Sequence, residues 1–248
     1  GEFERGNGIL VAGVDGVTIE NITARNALLN GFYWATVKGY RGSYLTAYNN
    51  GDYGVYAFDA VDGVLDHSYA TGSPDAGFYI GQCYPCDAIV NNVVSEYNGL
   101  GYSGTNSGGS LYITSSIFRN NKGGLAPNTL DSELLPPERE TFIIGNLIEN
   151  NNNYNSPATN STYLSYGNGV VIAGGNNNII KNNVIVDHDL YGVILTASMD
   201  VNYWPAHGNR VEENLILSSR KADIAVSGVS NLANCFEGNY FNTSIPPG

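Results

Sequence analysis

The sequence predicts an all-β solenoid of about nine coils, and three observations lead to this prediction. Glycines recur at a step of 23 residues, a self-similar period typical of stacked repeats. Each of these glycines opens a short apolar run rich in β-branched and aromatic residues, which favour strands. No segment keeps a 3.6-residue apolar period over three turns, and this disfavours helices. The glycines of the repeat are Gly8, Gly31, Gly54 and Gly77, followed later by the pair Gly169 and Gly192.

The first predicted element of each coil is a strand that follows the repeating glycine. Nine such runs occur, including runs near Tyr102, Leu125 and Ile224. Side chains alternate along a strand, so the apolar first and third residues after the glycine are expected to face the core. The residues predicted to be buried in one column are Phe32, Val55, Phe78, Val170 and Val193.

The second predicted element begins at an asparagine followed in most cases by apolar residues. Asparagine tolerates the left-handed conformation of a tight corner, and its amide can bond neighbouring backbone groups. Stacking of the coils is therefore expected to place these amides in a ladder in which each bonds the next. The motif occurs at Asn21, Asn92, Asn146, Asn183, Asn214 and Asn239.

The glycine-opened strands, the asparagine corners and the coil length together resemble the right-handed parallel β-helix of the pectate-lyase-like superfamily. The closest resemblance is to its short-repeat proteins related to carbohydrate-binding and sugar-hydrolase domains, and it extends from about Asn7 to Phe241. It implies a single right-handed parallel β-helix domain over residues 1–248, with three parallel sheets and loops inserted between coils. We therefore expect a secreted or cell-surface protein.

Charge and hydropathy restrict the partners of the chain. It carries 11 Lys and Arg residues against 23 Asp and Glu residues, a net charge of −12. This balance disfavours nucleic acid and anionic membrane surfaces. No apolar stretch approaches the roughly 18 residues of a membrane-spanning helix, so no membrane insertion is expected. A neutral polysaccharide or oligosaccharide, or an anionic one bridged by a cation, remains compatible, as does a solvated acidic surface without a partner.

The three cysteines are too few for a disulfide framework. Cys83 and Cys86 have the spacing of a metal half-site, but no second Cys/His pair accompanies them, which disfavours zinc. A local disulfide across a turn is the favoured interpretation, and two inert thiols are the alternative. Cys235 is expected to be a small core residue.

The middle residue of four successive glycine-opened runs is a tyrosine: Tyr33, Tyr56, Tyr79 and Tyr102. Strand parity points these four side chains outward, in an exposed ladder along the first sheet. Aromatic faces suit the apolar faces of sugar rings, and the hydroxyls can bond sugar oxygens. The ladder therefore predicts a glycan platform, with plain stabilisation of the sheet by stacked tyrosines as the alternative.

Two aspartates precede the repeating glycine by two residues, Asp52 and Asp75. Stacking would bring their carboxylates into adjacent coils, where like charges are unfavourable unless a cation binds or one is protonated. We therefore predict a weak Ca²⁺ site, with solvation and flexible rotamers as the alternative. Lys122 lies near the same column, and either it or Arg119 is a candidate base for β-elimination of a uronate.

Three polar insertions interrupt the repeat, at 128–140, 150–168 and 198–208. Long loops on a rigid scaffold are where binding and catalysis concentrate. Because these loops leave both edges of the first sheet, they are expected to flank a groove over it. They supply the remaining candidates, which are Asp131, Glu133, Arg139 and His207 for catalysis and Tyr203 and Trp204 for substrate binding.

Two classes of function fit these observations. The first is a polysaccharide lyase or glycoside hydrolase that acts in the groove, and the insertions favour it. The second is a non-catalytic module, either glycan-binding or a structural or adhesive surface solenoid. The sequence lacks the arginine motif of pectate lyases and the aspartate motifs of polygalacturonases, which favours the module.

Overall fold

The computed structural model describes residues 4–159, 165–229 and 232–247. The chain winds into a right-handed parallel β-helix whose strands stack into three long sheets. Nine of the ten strands in the first sheet are the predicted glycine-opened runs, and a short strand at the carboxyl end adds the tenth. The described residues include no helix long and apolar enough to span a bilayer.

The strands are numbered β1 to β29 in chain order. Sheet A contains β1 (Ile9–Ala12), β4 (Phe32–Ala35), β7 (Val55–Phe58), β10 (Ala76–Gly81), β13 (Leu100–Thr105), β16 (Gly123–Asn128), β19 (Val170–Ala173), β22 (Tyr191–Thr196), β27 (Ala222–Ser227) and β29 (Ser244–Ile245). Sheet B contains β2 (Thr18–Glu20), β5 (Lys38–Ser43), β8 (Val61–Asp66), β11 (Ala88–Asn91), β14 (Gly108–Thr114), β17 (Arg139–Ile144), β20 (Ile179–Lys181), β25 (Arg210–Glu212) and β28 (Cys235–Glu237). Sheet C contains β3 (Thr23–Arg25), β6 (Thr46–Tyr48), β9 (Tyr69–Thr71), β12 (Val94–Glu96), β15 (Ile117–Arg119), β18 (Leu147–Glu149), β21 (Val184–Val186) and β26 (Leu215–Leu217). A separate antiparallel hairpin joins β23 (Ser198–Met199) to β24 (Tyr203–Trp204).

The core runs along the axis of the solenoid between the three sheets. Within sheet A, Phe32 pairs with Val55 and Val55 pairs with Phe78, in register from coil to coil. The predicted core column is confirmed, because all five of its members are fully buried: Phe32, Val55, Phe78, Val170 and Val193. Each coil thus buries its apolar side chains only by stacking on its neighbours.

The repeating glycines are required where coils approach each other closely. A Cβ atom on Gly31 would lie 2.6 Å from the carbonyl oxygen of Gly54 and 2.7 Å from the amide nitrogen of Asn50. A Cβ atom on Gly54 would lie 2.6 Å from the carbonyl oxygen of Gly77. No side chain fits at such distances, which explains the 23-residue recurrence of glycine.

The predicted amide ladder is present in the later coils. The side-chain oxygen of Asn183 accepts hydrogen bonds from the backbone nitrogen and amide of Asn146, at 2.9 and 3.0 Å. Asn214 and Asn239 continue the ladder in the same way. The left-handed corner conformation belongs to a different residue in these coils, Asn182 with φ of 56°, directly before the ladder position. One asparagine therefore makes the corner and the next one bonds the coils together.

A two-residue insertion lengthens one coil and changes the register downstream. Val64 of β8 pairs with Ile89 of β11, a step of 25 residues where the preceding coils have 23. The turn between β10 and β11 holds the extra residues and is closed by the predicted disulfide between Cys83 and Cys86, with Cα atoms 4.8 Å apart. The prediction for Cys235 is wrong. It is exposed, because it begins β28, the last strand of sheet B.

Candidate active site in a groove over sheet A

The outer face of sheet A carries a central row of side chains that changes character along the solenoid. Large aromatic side chains occupy the early coils, and small ones follow at Ser103 and Ala126. This change leaves a cavity of about 420 Å³ over the middle of the sheet. The row consists of Leu10, Tyr33, Tyr56, Tyr79, Ser103, Ala126, Val171 and Ile194.

Three of the four predicted tyrosines form a ladder on this face, Tyr33, Tyr56 and Tyr79. Ring centroids lie 4.6 Å apart between Tyr33 and Tyr56, and 4.8 Å apart between Tyr56 and Tyr79. Tyr53, at the edge of the sheet, stacks flat on Tyr56 at 4.3 Å with an interplanar angle of 4°. Tyr33 and Tyr56 are half-buried and face the solvent, so they form an aromatic surface that leads toward the cavity.

The expectation that Tyr79 is exposed is wrong. Its side chain is 1% exposed, because the loop at 128–140 folds back over it. The Tyr79 hydroxyl lies 3.0 Å from both carboxylate oxygens of Glu133, to which it donates a hydrogen bond. Tyr79 therefore supports the loop and the Glu133 carboxylate from below.

The prediction that Tyr102 points outward is also wrong. It pairs with Phe78, is fully buried in the core, and leaves Ser103 to continue the outer row. The step from Phe78 to Tyr102 is 24 residues, because the inserted residues at the disulfide turn are only partly offset before β13. A shift of one residue moves a side chain to the other face of a strand.

Asp75 and Glu133 line the same cavity from different parts of the chain. Asp75 immediately precedes β10 at one edge of sheet A, and Glu133 comes from the loop after β16 at the other edge. Burial raises the pKa of Asp75 to about 7, and the charge of Asp52 adds to the shift. Burial likewise raises the pKa of Glu133 to about 7, with the charge of Asp75 adding to it. Tyr53 bonds Asp75 and Tyr79 bonds Glu133, and each bond partly opposes the shift.

Asp52 and Asp75 occupy adjacent coils, as predicted. The backbone nitrogen of Asp75 donates to the carbonyl of Asp52 at 3.0 Å, and burial raises the pKa of Asp52 as well. Ca²⁺ takes six to eight oxygen ligands. Within the described residues, no group of three or more His, Cys, Asp or Glu side chains is arranged to hold a metal ion. The two carboxylates thus supply only part of a calcium shell, and a weak site there stays a prediction.

The loops at 128–140 and 198–208 are joined to each other beside the cavity. Asp131 accepts hydrogen bonds from the backbone and side chain of Asn202, both at 2.7 Å, and from the Trp204 indole at 3.2 Å. Bonds from Asn202 hold the pKa of Asp131 below its ordinary value. Tyr203 is directed away from this contact, and its hydroxyl donates to the carbonyl of Val229. Asp131 and Trp204 therefore fix the shape of the groove, and Met199 of the hairpin lines it.

The predicted bases do not meet in the groove. Lys122 is buried, donates to the carbonyl of Tyr154 at 2.6 Å, and has its pKa lowered by burial. Arg119 lies on the outer face of sheet C and bonds Glu96 at 2.7 Å. Arg139 begins β17 on sheet B, where its guanidinium lies 3.6 Å from the ring of Tyr84.

His207 is exposed and forms an isolated bridge in line with sheet B, so its place is also outside the lining of the cavity. The predicted loop at 150–168 includes 160–164, which lie outside the described residues. Its described part reaches the groove, because Ser165 lines the cavity and the backbone of Thr159 bonds the carbonyl of Pro74 at 3.2 Å.

Two residues of the site region were not predicted. Tyr53 lies one residue before the repeating glycine, and its stacking position follows from the coil edge rather than from strand parity. Glu138 is fully buried at the end of the loop at 128–140, where Thr141 and Asn178 each bond it at 2.8 Å. Burial raises the pKa of Glu138 to about 8, so a largely neutral carboxyl anchors this loop at pH 7.

Comparison with known families supports the architecture. A family model described as "Right handed beta helix region" matches residues 2–134. No curated protein sequence is significantly similar to the chain.

Three solved structures share the fold. The periplasmic alginate epimerase AlgG is 15% identical with a TM-score of 0.63, over 85% of this chain and 47% of that one. The catalytic domain of a GH87 alpha-1,3-glucanase, in complex with tetrasaccharides, is 14% identical with a TM-score of 0.53, over 92% of this chain and 50% of that one. The A-module of the mannuronan C-5 epimerase AlgE6 from Azotobacter vinelandii is 14% identical with a TM-score of 0.51, over 94% and 76%. The chain thus spans about half the length of AlgG, and identities this low establish the fold alone.

Proposed function

The chain belongs to the family of right-handed β-helix proteins, and we propose that it hydrolyses a polysaccharide in the groove over sheet A. One observation carries the proposal: Asp75 and Glu133 line one cavity, and the pKa of each is raised to about 7. Two carboxyls of this kind share roughly one proton at neutral pH, as an acid–base pair requires. The names of the similar folds, an alginate epimerase and an alpha-1,3-glucanase, also support a glycan as substrate.

Glycoside hydrolysis needs one protonated and one ionised carboxyl on either side of the bond. The protonated member of the pair gives its proton to the glycosidic oxygen as the bond to the anomeric carbon breaks. The ionised member either takes a proton from the attacking water or attacks the anomeric carbon itself, and water then releases the sugar. Because Tyr79 and Tyr53 bond these two carboxyls, the reacting bond would lie between the tyrosine ladder and the cavity.

Support for a lyase is weaker. β-Elimination needs a base for the proton beside a uronate carboxylate and a cation that neutralises that carboxylate. Lys122 bonds the carbonyl of Tyr154, and Arg119 bonds Glu96 on sheet C. A non-catalytic glycan-binding module is the second candidate, because the half-buried surface of Tyr33 and Tyr56 is suited to sugar rings without any chemistry.

A location outside the cytoplasm is part of the proposal. The bond between Cys83 and Cys86 supports it, because disulfides form and persist in oxidising compartments.

A product screen tests the reaction class. The protein is incubated with a panel of polysaccharides, with and without millimolar Ca²⁺, and new reducing ends and unsaturated products are measured separately. We expect new reducing ends without unsaturated sugars, and a rise in thermal stability with Ca²⁺ only if Asp52 and Asp75 hold it. Unsaturated products would establish a lyase instead, and binding without any product would establish the module.

The tyrosine ladder is expected to contribute to glycan binding. Replacing Tyr33 or Tyr56 with Ala should weaken binding by about 1 kcal/mol each, roughly fivefold in Kd, because aromatic contacts contribute that much. Calorimetry with the preferred glycan measures the change. Tyr112→Ala is the matched control, since Tyr112 stacks on Phe142 at 4.7 Å on sheet B, away from the groove. Equal affinities for the Tyr33 and Tyr56 variants and the control would show that the ladder only stabilises the sheet.

A further inference from the structure

We propose that the groove over sheet A selects uncharged glycans and rejects polyuronates. The inference rests on the proposed function and adds its substrate class. It follows from the charges and the neutral polar groups that face the groove.

The ionisable carboxyls of the cavity have no cationic partner in its lining. Among the described residues that line it, Asp75 and Glu133 are the charged ones, and none is Lys, Arg or His. The sequence at 160–164 is Asn-Ser-Thr-Tyr-Leu and adds no basic residue. Asp52 lies one coil before Asp75, and the charge of Asp59 acts on Tyr33 at the start of the ladder. The acidic character therefore extends along the aromatic surface as well.

The nearby cations are already engaged by the protein. The ammonium of Lys122 donates to the Tyr154 carbonyl at 2.6 Å and lies 5.0 Å from the centre of the Tyr154 ring. A polyuronate carries one carboxylate on every sugar, so several of its charges would face these aspartates and Glu133 without neutralisation. Juxtaposed like charges disfavour such a ligand strongly.

The remaining groups of the groove suit neutral sugars. Ser103, Thr105 and Asn128 offer hydroxyl and amide groups along the cavity, and Leu100 and Ala126 form an apolar floor. Sugar hydroxyls can donate to carboxylates, so the acidic side chains can accept hydrogen bonds from a neutral glycan. The site thus combines apolar contact, neutral polar groups and acceptors.

Charge-matched ligand pairs test the inference. Each pair is an acidic oligosaccharide, such as oligogalacturonate or oligomannuronate, and its carboxyl-reduced form, which has the same linkages and no charge. Uncharged glucan and mannan oligosaccharides complete the panel. Dissociation constants are measured at low temperature, where turnover is slow, at low and high salt. We expect the neutral member to bind at least about tenfold more tightly, and added salt to reduce the difference because it screens repulsion.

A charge-neutral groove should lose this selectivity. The double variant Asp75→Asn/Glu133→Gln is expected to bind the acidic member more tightly than the wild type does. Asp62→Asn is the control, because Asp62 is exposed on β8 of sheet B. Tighter binding of the acidic member by the wild type, weakened by salt, would overturn the neutral-glycan inference and leave the proposed function intact. Unchanged selectivity in the double variant would overturn the role of the two carboxyls. If no member of the panel binds, the proposed function itself fails.

Discussion

Replacing Asp75 with Asn, or Glu133 with Gln, is expected to lower kcat/KM for the preferred glycan by about 10²–10⁴-fold, the usual contribution of a general acid or base. The amides keep the size of the side chains but cannot exchange a proton at the glycosidic oxygen or the water. Initial rates of reducing-end formation measure the loss. Asp62→Asn, an exposed aspartate on sheet B, makes the same chemical change away from the groove and should leave the rate unaltered.

The two variants should also differ from each other. Loss of the proton donor matters less for a substrate with a good leaving group, so an aryl glycoside restores much of the rate in that variant. Loss of the other carboxyl is instead relieved by a small anion such as azide or formate. If both variants keep full activity on the natural glycan, Asp75 and Glu133 are not the acid–base pair.

The pH profile should follow from the environment of the pair. With the pKa of each carboxyl raised to about 7, mainly by burial, activity is expected to be highest near neutral pH. Asp52→Asn removes a charge that raises the pKa of Asp75, so the corresponding limb of the profile should move to lower pH. Both carboxyls bind protons more readily in the folded protein, so stability should fall as pH rises from their ordinary values through about 7.

The architecture was predictable because its cause is local and repeated. A glycine at each close approach and an amide at each coil contact recur at the repeat distance, so a single chain shows both patterns. The core column followed from parity alone within coils of 23 residues. Parity failed at Tyr102, because one two-residue insertion near the disulfide moved the strands after it.

The site was predictable only in part because it depends on how loops close over the sheet. Glu133 and Asp75 were both singled out, but for different roles, since nothing in the sequence shows that the loop at 128–140 folds back by two coils. That return places Glu133 on the Tyr79 hydroxyl and buries a tyrosine predicted to be exposed. Arg119 followed the chain onto sheet C, where its partner is Glu96. Proximity along the sequence therefore identified candidates, and only the closed loop joined two of them into one site.

Replacing Phe78 with Ala is expected to lower the free energy of unfolding by about 3–5 kcal/mol, the usual cost of truncating a buried phenylalanine. Phe78 is fully buried between Val55 and Tyr102, so the cavity would open between two neighbouring coils. Coils contribute to stability through their contacts with neighbours, so the defect weakens the stack on both sides. Denaturant unfolding measures the loss, and Phe78→Leu provides a milder variant should the alanine protein fail to fold. Phe142→Ala is the matched control, because Phe142 faces outward on β17 and is only half-buried. A loss for the Phe78 variants no larger than for the control would contradict the stacked core.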